Sequence, residues 1–232
     1  MVTKYSYSKD INTQKILEEL RIGNSVVLIE NFPESEEIYQ AFIKHLGTSV
    51  KEIRNNNGQD IFDVKVNTQN GYFTSIANSN LTFPLHTDSA DFVTIPNCIG
   101  LLCMEPASGD QGQSQFVFIE DILKELSAEA LQELTTKQWN FRGQTRSILQ
   151  EVSGEYKICY DRITMESFSK LSDDEKAYLS SLDRIFKKHI LEFKLQKGDL
   201  ILFRNDRLLH GRSKIDLDSK RLLKRIRFHI AC

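Results

Sequence analysis

The apolar residues of this chain come in short bursts, and that spacing limits the available folds more than any other feature. Four runs in the middle of the chain read as strands: DIFDVKV (60–66), YFTSIA (72–77), NCIGLLCM (97–104) and SQFVFI (114–119). Turn signals separate them, among them Asn55-Asn56-Asn57-Gly58 and Ser108-Gly109-Asp110. An earlier run, SVVLIENF (25–32), is bounded by Gly23-Asn24 and Pro33. The end of the chain alternates again in LEFKL (191–195), LILF (200–203) and RIRFHIA (225–231), with the turn QKGD (196–199) between the first two.

Helical spacing is confined to fewer places. Ile16, Leu17 and Leu20 mark a helix over residues 12–21, and a second follows over residues 35–46. Two more fit within residues 120–137, and the capping box S-D-D-E at Ser172 starts another that runs to about His189. Helices do not follow most strands, so a doubly wound βαβ sheet fits poorly. A mainly β fold with flanking helices, a sandwich or jelly roll, fits better. No repeat, low-complexity tract or linker divides the 232 residues, which are expected to form one domain over 1–232.

Composition narrows the function. A net charge of −2 lacks the positive excess of a general nucleic-acid or membrane-surface binder. The N-terminal residues have no signal-peptide character, and no run approaches the roughly 18 apolar residues of a membrane span. Cys98, Cys103, Cys159 and Cys232 show no CxxC pairing, which argues against a zinc knuckle or a disulfide framework. Together these features predict a cytoplasmic protein with reduced thiols.

The chemistry starts at FPLHTDSADF (83–92). His86 and Asp88 are two residues apart, so in extended chain an imidazole and a carboxylate project from one face. His210, far downstream in LLHGR, lies just past a predicted strand and supplies a second imidazole. Two histidines and one carboxylate around iron leave positions open for a bidentate 2-oxo acid and for O₂. HxD alone is a weak signal, and His45, His189 and His229 have no partner at ligand spacing. Close behind His210 come Arg221 and Arg225, which share a strand face and could each grip a carboxylate through a planar fork. With Lys220, Lys224 and Arg227 nearby, the same residues also fit a solvated basic edge strand.

Taken together, HTD (86–88), GQSQF (112–116), DLILFRNDRLLHGR (199–212) and RLLKR (221–225) resemble the taurine dioxygenase and clavaminate synthase-like family of iron(II)/2-oxoglutarate oxygenases. The resemblance implies a double-stranded β-helix, a jelly roll, with iron(II) ligated by His86, Asp88 and His210. It implies that Arg221, aided by the Ser114 hydroxyl where relatives commonly carry threonine, binds the distal carboxylate of 2-oxoglutarate. Arg225 would take the acid group of the prime substrate, an amino acid or similar small carboxylate. Asp91, Asn78, Asn80 and Thr82 flank the metal strand and could line the pocket, with Asp91 and Thr82 as candidate substrate contacts. Because Asp88 is present, where halogenating relatives carry a small residue, hydroxylation is the natural outcome, with desaturation and ring closure as alternatives that use the same ligands. Two other classes could use these ligands: a metal hydrolase, which needs a general base but not Arg221, and a binding protein with a vestigial site.

Overall fold

The computed structural model describes residues 1–51, 58–69, 72–73 and 75–231. The Asn55-Asn56-Asn57 part of one predicted turn, and Cys232, lie outside the described residues. Mainly β structure with flanking helices is what the described residues adopt.

Two sheets carry the architecture. The larger has seven strands. Val2–Ser6 pairs in parallel with Val26–Glu30, which pairs antiparallel with Leu200–Arg204. Leu200–Arg204 pairs with Cys98–Glu105, which pairs with Leu222–His229; both junctions are antiparallel. The far edge of Leu222–His229 is covered by Thr48–Ser49 and Ile61–Val64. The smaller sheet has the order Leu191–Phe193, Ser114–Phe118, Leu208–Arg212, Phe83–His86, antiparallel throughout. Since Leu222–His229 has neighbours on both sides, its arginines do not belong to a solvated edge.

Side-chain alternation sorts each central strand between two cores. Val26, Leu28, Ile201, Phe203 and Leu223 of the larger sheet pack on Phe116, Phe118 and Leu208 of the smaller one. The intervening residues Val27, Ile29, Leu200, Leu202, Ile226 and Phe228 turn the other way, onto the helices Thr13–Ile22 and Glu36–Leu46. Outside the smaller sheet, Val117 and Leu209 meet a third cluster that includes Trp139, Tyr160, Leu179 and Phe186. The same parity that sends Leu208 and Leu223 inward sends His210 and Arg225 inward as well.

The helices follow their caps. Asn12, Ser35, Ser127 and Ser172 accept from backbone N–H groups in the first turns of their helices, and Ser172 completes a capping box with Glu175. The predicted strand YFTSIA is the main local departure. Among its described residues Tyr72–Phe73 is strand, and Ile76–Asn78 forms a 3₁₀ turn capped by Ser75. Two hairpins escape the apolar patterning, Trp139–Phe141 with Gln144–Arg146 and Leu149–Val152 with Glu155–Ile158. Their turns, Arg142-Gly143 and Ser153-Gly154, hold positive φ at both positions, which the residue–glycine pair accommodates. Among the described residues no helix is long and apolar enough to cross a membrane.

Leu202 is fully buried while Leu217 is 61% exposed. Leu202→Ala should cost about 2–5 kcal/mol of unfolding free energy and Leu217→Ala under about 0.5, measured by urea denaturation. Burial pushes the thiols of Cys103 and Cys159 up to about 12. Neither should be alkylated by iodoacetamide in the native protein at pH 8, as read by peptide mass mapping, and both should react after unfolding.

Candidate metal and carboxylate site

Two adjacent strands of the smaller sheet bring the histidines together. His210 and His86 are direct partners in the antiparallel ladder, and their ring centroids lie 4.3 Å apart. The ladder is irregular between His210 and Arg212, where Phe83 becomes the partner. Gly211 makes this close pairing possible, because a Cβ there would meet the Phe83 carbonyl oxygen at 2.8 Å and the Leu85 nitrogen at 3.2 Å.

The His86 ring stacks on Phe83 at 3.9 Å, and its Nδ1 lies 2.9 Å from the Pro84 carbonyl oxygen. A carbonyl only accepts, so Nδ1 carries the proton and Nε2 keeps a lone pair. Phe203 lies against His210 with centroids 4.9 Å apart. Burial lowers the pKa of both imidazoles, that of His210 well below the usual value with His86 adding to the effect. Both rings are therefore neutral near pH 7, the form that donates to a metal.

Asp88 sits just past the end of the same strand and is held through its main chain. Asn205 Oδ1 accepts from the Asp88 N–H at 2.9 Å, and Asn205 Nδ2 donates to the Asp88 carbonyl at 2.9 Å and the Pro96 carbonyl at 2.8 Å. The Arg204–Asp206 ion pair, with contacts of 2.7 and 2.8 Å, stiffens the turn that carries Asn205. On the other side, the Thr87 N–H donates to the Tyr160 carbonyl, and the Thr87 hydroxyl joins Ile158 and Tyr160. The chain then turns sharply at Ser89, whose φ is 59°.

The Asp88 carboxylate meets the larger sheet. Arg227 Nη2 donates to its Oδ1 at 2.8 Å, and Arg225 Nη1 lies 3.0 Å from its Oδ2. Burial acts to raise this carboxyl, but Arg225 and Arg227 outweigh it and hold the group well below the usual carboxylate range. Among the described residues no trio of His, Cys, Asp or Glu side chains stands as a ready-made metal cluster. Yet His86 Nε2, His210 Nδ1 and Asp88 Oδ2 are all buried with no hydrogen-bond partner. Each of the three predicted ligands thus keeps a buried polar atom without a hydrogen bond, and a cation that displaces the Arg225 contact from Oδ2 would satisfy them.

Among the described residues, two cavities adjoin these side chains. The smaller, about 40 Å³, lies between the sheets against His86, His210, Ser114, Arg212, Arg221 and Arg225, and among the described residues no carboxylate lines it. Burial lowers the pKa of Arg221 and of Arg212 to about 10, and Arg221 Nη1 has no hydrogen-bond partner. Arg212 donates to the carbonyls of Ala77, Ser79 and Leu81, pinning the segment that precedes the His86 strand. The larger cavity, about 520 Å³, is walled by Arg225 and Arg227 and by Asp91, Asp161 and Arg142, with Phe62 and Ile76 among its apolar lining.

Most of the predicted residues converge here. Ser114 and Arg221 share the smaller cavity, Asp91 lines the larger, and Arg225 touches both. Thr82 is exposed and lines neither, and the buried Asn78 spends its amide on the carbonyls of Asp63 and Lys65. Sequence reasoning did not single out Asn205, Asp161, Arg212 or Arg227. Of these only Arg227 left a legible signal, the parity it shares with Arg221 and Arg225.

The family described as Taurine catabolism dioxygenase TauD, TfdA family matches residues 3–227. Among curated protein sequences none matches the chain. Among solved structures, asparagine oxygenase in complex with Fe(II), 2S,3S-3-hydroxyasparagine and succinate is similar, with TM-score 0.75 and 14% identity over 94% of this chain and 78% of that one. PvcB from Pseudomonas aeruginosa has TM-score 0.75 and 16% identity, covering 98% of this chain and 86% of its own. The non-heme iron oxygenase OrfP in complex with Fe, succinate and (3S)-hydroxy-L-Arg has TM-score 0.72 and 16% identity over 93% and 79%. At these identities the likeness is one of fold.

Replacing Arg212 by Met removes the donors to three carbonyls. It should cost about 3 kcal/mol and speed amide exchange across residues 76–82 by hydrogen–deuterium mass spectrometry.

Proposed function

We propose, from the premise that this chain belongs to the taurine catabolism dioxygenase TauD, TfdA family, that it hydroxylates a free amino acid or similar small carboxylate as an iron(II)- and 2-oxoglutarate-dependent dioxygenase. The observation that carries the reading is the set of three buried polar atoms without hydrogen bonds on His86, Asp88 and His210, beside a cavity rich in guanidinium groups. Those three residues hold the metal, and the two packed sheets form the double-stranded β-helix of a single oxygenase domain. Iron(II) with bound 2-oxoglutarate and O₂ supplies the power to oxidise an unactivated C–H bond while 2-oxoglutarate becomes succinate and CO₂.

The protein's own part is charge matching and aim. Arg221 is buried at the head of the Leu222–His229 strand, so a carboxylate that reaches it meets a cation already stripped of water. Ser114, with a buried hydroxyl on the facing sheet, adds a donor to the same end. Arg212 and Arg225 make the smaller cavity more positive, which suits a dianion better than a neutral ligand. In the larger cavity Arg225, its guanidinium over the Phe62 ring at 4.7 Å, receives the substrate carboxylate. Asp91 and Asp161 face the same space and suit an ammonium, so a zwitterionic amino acid matches both signs. Relatives of like fold contain hydroxylated amino acids, 3-hydroxyasparagine in one and hydroxyarginine in another.

The test is succinate release from 2-oxoglutarate with iron(II), ascorbate and O₂ over a panel of free amino acids. Succinate that needs both iron and O₂ is expected; hydrolysis without either would overturn the reading. His86→Ala should abolish metal retention and turnover. Arg221→Ala should raise the 2-oxoglutarate requirement by roughly 30-fold or more, far more than the substrate requirement. If Arg225→Ala gives that pattern instead, the two roles are exchanged.

A further inference from the structure

The way Asp88 is held separates its two oxygens. Oδ1 accepts an aligned hydrogen bond from Arg227 at 2.8 Å. Oδ2 lies 3.0 Å from Arg225 Nη1, but the contact is not aligned as a hydrogen bond and Oδ2 is left without one. Asn205 clamps the main chain of the same residue from both sides, and the two guanidiniums orient its carboxylate. Arg227 is itself fixed: it is buried on the Leu222–His229 strand, with its guanidinium 5.7 Å from the Phe92 ring.

We infer that Arg227 is a positioning residue that makes Asp88 a one-oxygen ligand, by engaging Oδ1 and leaving Oδ2 as the only oxygen offered to the metal. This rests on the reading that Asp88 is one of three ligands. Its consequence is a coordination count. A chelating carboxylate with two imidazoles would fill four of six positions, and the two remaining would be used up by a bidentate 2-oxo acid. A one-oxygen ligand keeps the position that O₂ needs. Arg225 differs in kind: it faces both cavities and its contact with Oδ2 must yield when that oxygen donates elsewhere, whereas the Arg227 bond to Oδ1 can persist.

The test uses Mn(II) alone as the probe, with free metal read by electron paramagnetic resonance for the full chain and its Arg227→Lys, Arg225→Lys and His86→Ala variants. Both lysine variants keep the charge and lose the planar fork. Arg227→Lys should weaken Mn(II) binding by on the order of tenfold or more, and Arg225→Lys by less than about threefold. A second measurement needs no substitution at Arg227. The infrared difference spectrum on adding Mn(II) to the wild-type chain, with Asp88→Asn as the subtraction, should show the wide separation of carboxylate stretches that marks one-oxygen binding. The narrow separation of a chelate, or equal weakening by the two lysine variants, would overturn the inference. Mn(II) binding indifferent to His86→Ala would overturn the ligand reading beneath it, a separate result.

Discussion

Strand alternation along Leu222–His229 directs Arg225 and Arg227 into the space between two sheets, with Arg221 at its entrance and Arg212 opposite. Taking a cation out of water costs several kcal/mol unless carbonyls, a carboxylate or a ligand replace the lost hydration. Much of the surrounding structure answers that demand. Arg212 is met by three main-chain oxygens, which fixes the path of residues 77–81. Arg225 and Arg227 are met by Asp88, which ties the segment after the His86 strand to the opposite sheet. Arg221 keeps a donor with no protein partner, and it is the one placed against Ser114 in a cavity without acids.

The site is consequently assembled by closing the sandwich rather than by either sheet alone. The smaller sheet contributes the two imidazoles as ladder partners, a contact that survives as long as the Phe83–His86 and Leu208–Arg212 strands stay in register. The carboxylate takes its orientation from the larger sheet, through guanidiniums two residues apart. The turn that leads from Leu200–Arg204 to Leu208–Arg212 bridges the halves, since it changes sheet and carries Asn205 to the Asp88 backbone on the way. A site built on rigid strands with its supports on a buried turn has its geometry set before any ligand arrives.

Period-2 patterning made most of this legible in the sequence. The runs at 25–32, 97–104, 114–119 and 200–203 became strands because β-branched and aromatic side chains fill both faces, and the inward parity of Arg221 and Arg225 followed from the same rule. The strand predicted at 72–77 failed at Ser75, where side-chain capping of a 3₁₀ turn outcompeted strand pairing, a local hydrogen bond that apolar patterning does not register. Asn78 looked like a pocket residue by proximity, but its amide was needed for two buried carbonyls. Asn205 carried no signal at all. An asparagine in a polar turn reads as turn chemistry, and only the fold reveals that its partners lie more than a hundred positions upstream.

The two cavities divide the work in a way that bears on how variants are interpreted. The smaller is cationic and without carboxylates, while the larger mixes Asp91 and Asp161 with Arg142, Arg225 and Arg227. Arg221 lines the first and Arg227 the second, and Arg227 also holds Asp88 through Oδ1. Arg225 lines both and also contacts Asp88. On the roles proposed above, removing it would act on the co-substrate end, the substrate end and Asp88 at once. Such coupled losses are not additive, so the effect of Arg225→Ala cannot be assigned to substrate binding unless Arg221 and Arg227 variants are measured beside it.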